Sequence, residues 1–117
     1  MHELSIAQSI VEIADRHAGG SKVTGITLRI GYLRQVVPDA LIFSFGLVAQ
    51  GTPVEGAELT IESVPAVGWC PHCQTESRLE EFPLQCRTCG ALDLRITAGE
   101  EMLVASLTVD DTRDDAG

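Results

Sequence analysis

The four cysteines of this chain fall in two pairs, Cys70-x2-Cys73 and Cys86-x2-Cys89, with twelve residues between them. Two intervening residues let both thiolates of a tight turn face one ion, and two such knuckles complete a tetrahedral set of four sulfurs. Soft thiolates at all corners favour zinc, or less often a simple iron site. Gly90, directly after the second pair, suits a backbone that must turn sharply there. Four thiolates close the coordination sphere and leave no position for water, so such a site holds structure and hydrolyses nothing. The competing readings are two disulfides or free packed thiols, and the paired spacing weighs against both.

The three histidines pose separate questions. His72 sits inside the first knuckle, as Cys-Pro-His-Cys, where it could compete for the metal; the plainer reading is an exposed turn residue. His17 continues the row Ile6, Ile10, Ile13 and is placed to interact with a helix C-terminus or cap its apolar face. His2 lies one residue from Met1, and its bulk is expected to keep that methionine in place. Amine, intervening amide nitrogen and imidazole can then close adjacent chelate rings, a donor set suited to square-planar Ni(II) or Cu(II). Glu3 adds a carboxylate and another amide beside it.

The elements that must position these groups follow from periodicity. Leu4, Ala7, Val11, Ala14 and Ala18 recur at helical spacing, widened by the isoleucines, so Glu3 to Ala18 is expected to be an amphipathic helix stopped by Gly19-Gly20. Glu12 and Arg16 make a favourable i,i+4 pair within it. Val23 to Ile30 alternates as a half-buried strand. Pro38-Asp39 suits the first turn of a second helix, with Leu41, Phe45, Val48 and Ala49 as its buried stripe and Gly51 as its stop. Ala57 to Val64 alternates again, and Pro65 ends it. Within Ala66 to Gly99 the core-type periodicity fades, and strands are expected only at Glu76–Phe82 and Ala91–Ile96. Glu101 to Val109 resumes strand character, with Leu103, Ala105, Leu107 and Val109 on the buried face.

The expected fold is α+β, with two helices on one face of a small three-stranded sheet and an inserted zinc-ribbon-like module of four cysteines. The body is 1–65 plus 99–109, the insert is 66–98, and 110–117 is a disordered acidic tail. Val64-Pro65 and Gly99-Glu100 are the two short hinges of the insert.

Composition bounds the function. Of 117 residues, 8 are basic and 17 acidic, giving −9, which lacks the footprint of a nucleic-acid binder. The apolar runs are too short to span a membrane, and no basic n-region with an apolar stretch opens the chain. Cysteines in this context point to metal in a reducing, cytoplasmic compartment. No Gly-rich phosphate loop occurs, and no serine or cysteine nucleophile carries a histidine signature, so no catalysis is expected.

Met-His-Glu-Leu-Ser-Ile-Ala-Gln-Ser-Ile at the start resembles the HypA/HybF family of hydrogenase nickel-insertion accessory proteins. The likeness continues through Ile30-Gly31, Val37-Pro38-Asp39-Ala40-Leu41, Gly51-Thr52, Gly56-Ala57, Val64-Pro65-Ala66, both cysteine pairs and Gly99-Glu100-Glu101. The resemblance implies a metallochaperone delivering Ni(II) to a [NiFe]-hydrogenase. Its nickel site would be His2 with Met1 and Glu3 as neighbours, and its structural Zn(II) would sit on Cys70, Cys73, Cys86 and Cys89. It also implies a nickel-binding GTPase and a hydrogenase large-subunit precursor as partners, and some members feed urease. Tyr32-Leu33-Arg34-Gln35 departs from the family's segment at this point, in a stretch expected to touch a partner.

Two rivals remain on the residues alone. A zinc-ribbon interaction module without a nickel role explains the cysteines but assigns nothing to His2. A dithiol redox protein usually has one reactive pair rather than two matched ones.

Overall fold

Glu3–Ala18 forms the helix α1, and its inward stripe is Ile6, Ala7, Ile10, Val11 and Ala14. Leu4, expected on that stripe, is half exposed. The left-handed Gly19 and Gly20 end the helix. The Glu12–Arg16 pair does not form among the described residues, where the ion pairs are Arg29–Glu62, His72–Asp93 and Arg87–Glu80. The computed structural model describes residues 3–110. Met1, His2 and nearly all of the 110–117 tail therefore lie outside the described residues; Asp110 ends the last strand.

The strands β1 (Lys22–Gly31), β2 (Glu58–Val64) and β6 (Met102–Asp110) make one sheet in the order β2-β1-β6. The helix α2 (Pro38–Val48) opens on proline, as its sequence suggested, and packs on α1. Leu41, Phe45 and Ala49 are buried, whereas Ile42, Phe43 and Leu47 point outward.

The chain divides into two compact units. Among the described residues the first comprises 3–29, 36–62 and 103–110. Its core joins α1 and α2 to Val23, Ile26 and Leu28 of β1 and to Val54. Each such side chain contributes about 1.5–3 kcal/mol by leaving water. Arg29 Nη2 lies 3.3 Å from Glu62 Oε1 on the exposed side, a pair worth at most about 1 kcal/mol.

Strand β6 corrects the sequence reading. Leu103, Ala105 and Val109 are exposed, while Val104 and Leu107 are half-buried. Apolar residues stand at both parities in Met102–Ala105, so alternation alone could not choose a face, and the inward side changes parity between Val104 and Leu107.

The second unit is Ile30–Gln35 and Ser63–Met102. Its sheet has the order β4-β3-β5, with β3 (Ala66–Cys70) central and antiparallel to both β4 (Thr75–Leu79) and β5 (Arg95–Ala98). The sequence reading missed β3 altogether. Its inward residues are Ala66, Gly68 and Cys70, too small to register as an apolar alternation. They are small because neighbours fill the space: a Cβ on Gly68 would stand 3.0 Å from Leu94 Cδ1. The strand expected over Ala91–Ile96 instead starts at Arg95; the backbone before it is irregular, with Ala91 O taken up by the Cys86 N–H at 2.8 Å rather than by a neighbouring strand.

The Tyr32–Gln35 stretch, expected to meet a partner, binds this unit's own residues. Tyr32–Arg34 is one 3-10 turn, closed by Gln35 in the left-handed region with its N–H on Tyr32 O. The Leu33 N–H donates to Gly99 O at 2.9 Å, the Gly31 N–H to Glu101 O at 2.7 Å, and Arg34 Nε to Glu100 O at 2.7 Å. Tyr32 donates its hydroxyl to Glu80 O at 2.9 Å and stacks on Phe82, centroids 6.1 Å apart. Gly99 is thus pinned: a Cβ on Gly31 would fall on the Gly99 carbonyl, and one on Gly99 would stand 2.6 Å from Ala66 Cα.

Candidate metal centre

Cys70 ends β3, and Thr75, its register partner, begins β4, so the first cysteine pair occupies a hairpin turn. The turn closes with the Gln74 N–H on Cys70 O at 2.8 Å, and Gln74 takes the left-handed conformation, φ 54°. The second knuckle repeats the device: the Gly90 N–H donates to Cys86 O at 2.9 Å, with Gly90 at φ 79°. Glycine adopts this conformation without the steric cost that Gln74 bears. In each knuckle the fifth residue reverses the chain and leaves both cysteines on one side.

All four sulfurs lie within 4.8 Å of one another. Cys70 Sγ is 3.6 Å from Cys89 Sγ, and Cys73 Sγ is 3.5 Å from Cys86 Sγ, so each close pair joins one knuckle to the other. A tetrahedral zinc with bonds of about 2.3 Å places its sulfurs about 3.8 Å apart. The cluster fits that ion, with a donor set of thiolates alone. Burial agrees: Cys70 and Cys86 are among the largest fully buried side chains, and the second unit has few apolar ones to replace them. Small units of this kind depend on a metal or a disulfide for stability, and all four cysteines are free.

The sulfurs are not electrostatically equivalent. Backbone N–H groups of Cys89 and then Thr88 hold the Cys86 thiol down to about 5, against an opposing contribution from burial. Those two amides lie 3.5 and 3.4 Å from Cys86 Sγ. For Cys89 the Ala91 amide pulls downward, but the Cys70 sulfur, burial and the sulfurs of Cys86 and Cys73 together outweigh it, and the thiol is pushed up to about 12. Negative charge on one sulfur thus opposes charge on the next. A bound cation is what allows all four to ionise together.

His72 stands apart from the sulfur cluster. Its Nε2 meets the Asp93 carboxylate at 2.7 and 3.0 Å, with both side chains exposed. The hydrogen bond from His72 holds the Asp93 carboxyl below its usual range. His17 Nδ1 lies 2.9 Å from Ile13 O at the end of α1, consistent with interaction at the helix C-terminus. Glu3 is the first residue of α1 and half-buried; Met1 and His2 fall outside the described residues.

Three residues escaped the sequence reading: Asp93, and two hydroxyls on β4. Thr75 Oγ1 is 3.1 Å from Cys73 Sγ, and Ser77 Oγ is 3.9 Å from Cys86 Sγ. Their two-residue spacing directly after the first pair was the available signal, since it puts both on one strand face.

Known proteins resemble this chain in sequence and in fold. The chain is similar to Hydrogenase maturation factor HypA of Geobacter metallireducens, 46% identical over 110 residues that cover 94% of this chain and 100% of that protein. It is also similar to the protein of that name from a Roseiflexus species, 44% identical over 120 residues, covering 99% and 98%. The solution structure of the Ni metallochaperone HypA from Helicobacter pylori shares the fold, with a TM-score of 0.67 at 23% identity over 93% of this chain and 97% of that one. A family model described as hydrogenase/urease nickel incorporation, metallochaperone, hypA, matches residues 1–109. With relatives above 40% identity along almost its whole length, this chain belongs to the HypA family.

Proposed function

We propose that this protein is a nickel metallochaperone of [NiFe]-hydrogenase maturation. It takes up Ni(II) through His2, with Met1 and Glu3 beside it, and keeps a structural Zn(II) on Cys70, Cys73, Cys86 and Cys89. It passes the nickel, with a nickel-binding GTPase, to the hydrogenase large-subunit precursor, and performs no catalysis of its own. The observation that carries this reading is the family match running from residue 1, so that it includes the Met-His-Glu opening as well as both cysteine pairs.

The two metals suit different tasks. Four converging sulfurs fill the coordination sphere of a tetrahedral ion, which serves retention. A site built on an imidazole is reversible, because protonation at about pH 6 competes with the metal. Four free cysteines whose sulfurs converge suit a reducing cytoplasm. No helix among the described residues is long and apolar enough to cross a membrane, and the −9 charge disfavours a nucleic-acid partner.

The test is transfer. Protein loaded with radioactive nickel is mixed with the metal-free large-subunit precursor and the GTPase. Nickel is expected to appear in the precursor faster than from an equal concentration of free ion in the presence of a weak chelator. Retention of all nickel by the loaded protein contradicts a delivery role.

A further inference from the structure

The hydroxyls of β4 sit where a tetrathiolate site needs donors. Thr75 is fixed by its backbone opposite Cys70, and its Oγ1 lies 3.1 Å from Cys73 Sγ. Ser77 is 5% exposed and accepts the Arg87 N–H at 3.0 Å. That bond occupies a lone pair of Ser77 Oγ and leaves its hydrogen for Cys86 Sγ, 3.9 Å away. A thiolate accepts hydrogen bonds and cannot donate them. Once the sulfurs hold a cation, both hydroxyls can only donate to them.

The two sulfurs served are Cys73 and Cys86, which stand 3.5 Å apart and join the knuckles. Cys86 also receives backbone N–H groups from Thr88 and Cys89. In the first knuckle the hydrogen bond to sulfur comes instead from the Thr75 side chain. A zinc with four thiolates carries a net charge of about −2, within a chain already at −9. Each donor draws charge off a sulfur and fixes its orientation, the part that groups around the ligands play in holding a metal.

We propose that Thr75 and Ser77 are positioning residues of the zinc centre, donating from one strand to a sulfur of each knuckle so that the two halves hold the ion together and release it slowly. The inference rests on the zinc reading above.

The experiment uses the full-length zinc-loaded protein and a chromogenic chelator. Thr75→Val keeps the shape and strand preference of the side chain and removes the hydroxyl; Thr75→Ser restores it. Zinc transfer to the chelator is expected to be about tenfold faster in Thr75→Val and close to the parent rate in Thr75→Ser. Ser77→Ala is expected to exceed Thr75→Val, because it also strips the Arg87 N–H of its acceptor. Cobalt-substituted protein supplies a readout that packing alone does not move. The sulfur-to-cobalt charge-transfer band is expected to shift to longer wavelength in Thr75→Val and to return in Thr75→Ser. Identical release rates and identical bands in parent and Thr75→Val overturn the proposal while leaving the zinc reading intact. A parent protein that takes up neither zinc nor cobalt overturns that reading, and this one with it.

Discussion

Cys86 and Cys89 are three residues apart and face the same space, yet their protons are held in opposite senses. Cys86 is drawn down to about 5 by the amides of Cys89 and Thr88, against about 8.5 for a free thiol. Its contribution to stability is complete above about pH 8.5 and is lost as pH falls through 5. Cys89, pushed up to about 12 when the Cys70 sulfur, burial and the other sulfurs outweigh the Ala91 amide, contributes in the reverse window. Its share is complete below about pH 8.5 and is lost as pH rises through 12. Metal-free protein at pH 7 therefore already carries a thiolate at Cys86. Zinc binding at pH 7 is expected to release fewer than four protons, with the number rising toward four as pH is lowered toward 5. Calorimetry in buffers of different ionisation enthalpy measures this count; four protons at pH 7, unchanged at lower pH, contradict the assignment. The convergence of the four cysteines was legible in the sequence because their spacing encodes it. The groups around it were harder to read: Thr75 and Ser77 meet the sulfurs, and Asp93 meets His72, only once β3 and β4 are paired and the second knuckle folds back on them.

At the scale of elements, both helices, β1 and β2 follow the periodicity of their side chains. Strand β3 was hidden because its inward residues are small, and the face of β6 because its apolar residues stand on both sides. The 3-10 turn at Tyr32–Arg34 was hidden for another reason. It is held by contacts to Glu80, Gly99 and Glu100, more than forty positions away in the chain, which no local pattern records. Tyr32→Phe is expected to cost about 1 kcal/mol through loss of the hydroxyl bond to Glu80 O. Tyr32→Ala adds loss of the Phe82 stack, for a total of about 2 kcal/mol. Faster amide hydrogen exchange in residues 80–85 checks both. Two glycines make a sharper contrast. Gly31→Ala drives a methyl into the Gly99 backbone and is expected to destabilise by about 2 kcal/mol or more. Gly46→Ala, on α2 with open space around it, is expected to stabilise by about 0.5–1 kcal/mol. Urea unfolding of the two variants gives the signs; a tolerated Gly31→Ala contradicts the close backbone crossing.

Across the whole molecule the helices belong to one unit and all four cysteines to the other, so the two respond to different insults. Trp69, the single tryptophan of the chain, lies on β3 next to Cys70 and reports on the second unit alone. Stripping the zinc with a strong chelator is expected to shift Trp69 emission while the helical circular dichroism is largely retained. Loss of both signals together contradicts independent stability of the first unit. Nickel addresses the central claim, because the proposed cargo site lies outside the sulfur cluster. The most direct measurement is an isothermal nickel titration of untagged, zinc-loaded protein alongside its His2→Ala variant, with zinc content determined in both. The metallochaperone reading predicts one nickel per chain in the parent, loss of that binding in His2→Ala, and undiminished zinc with unchanged circular dichroism. Equal nickel binding by the two proteins would contradict it.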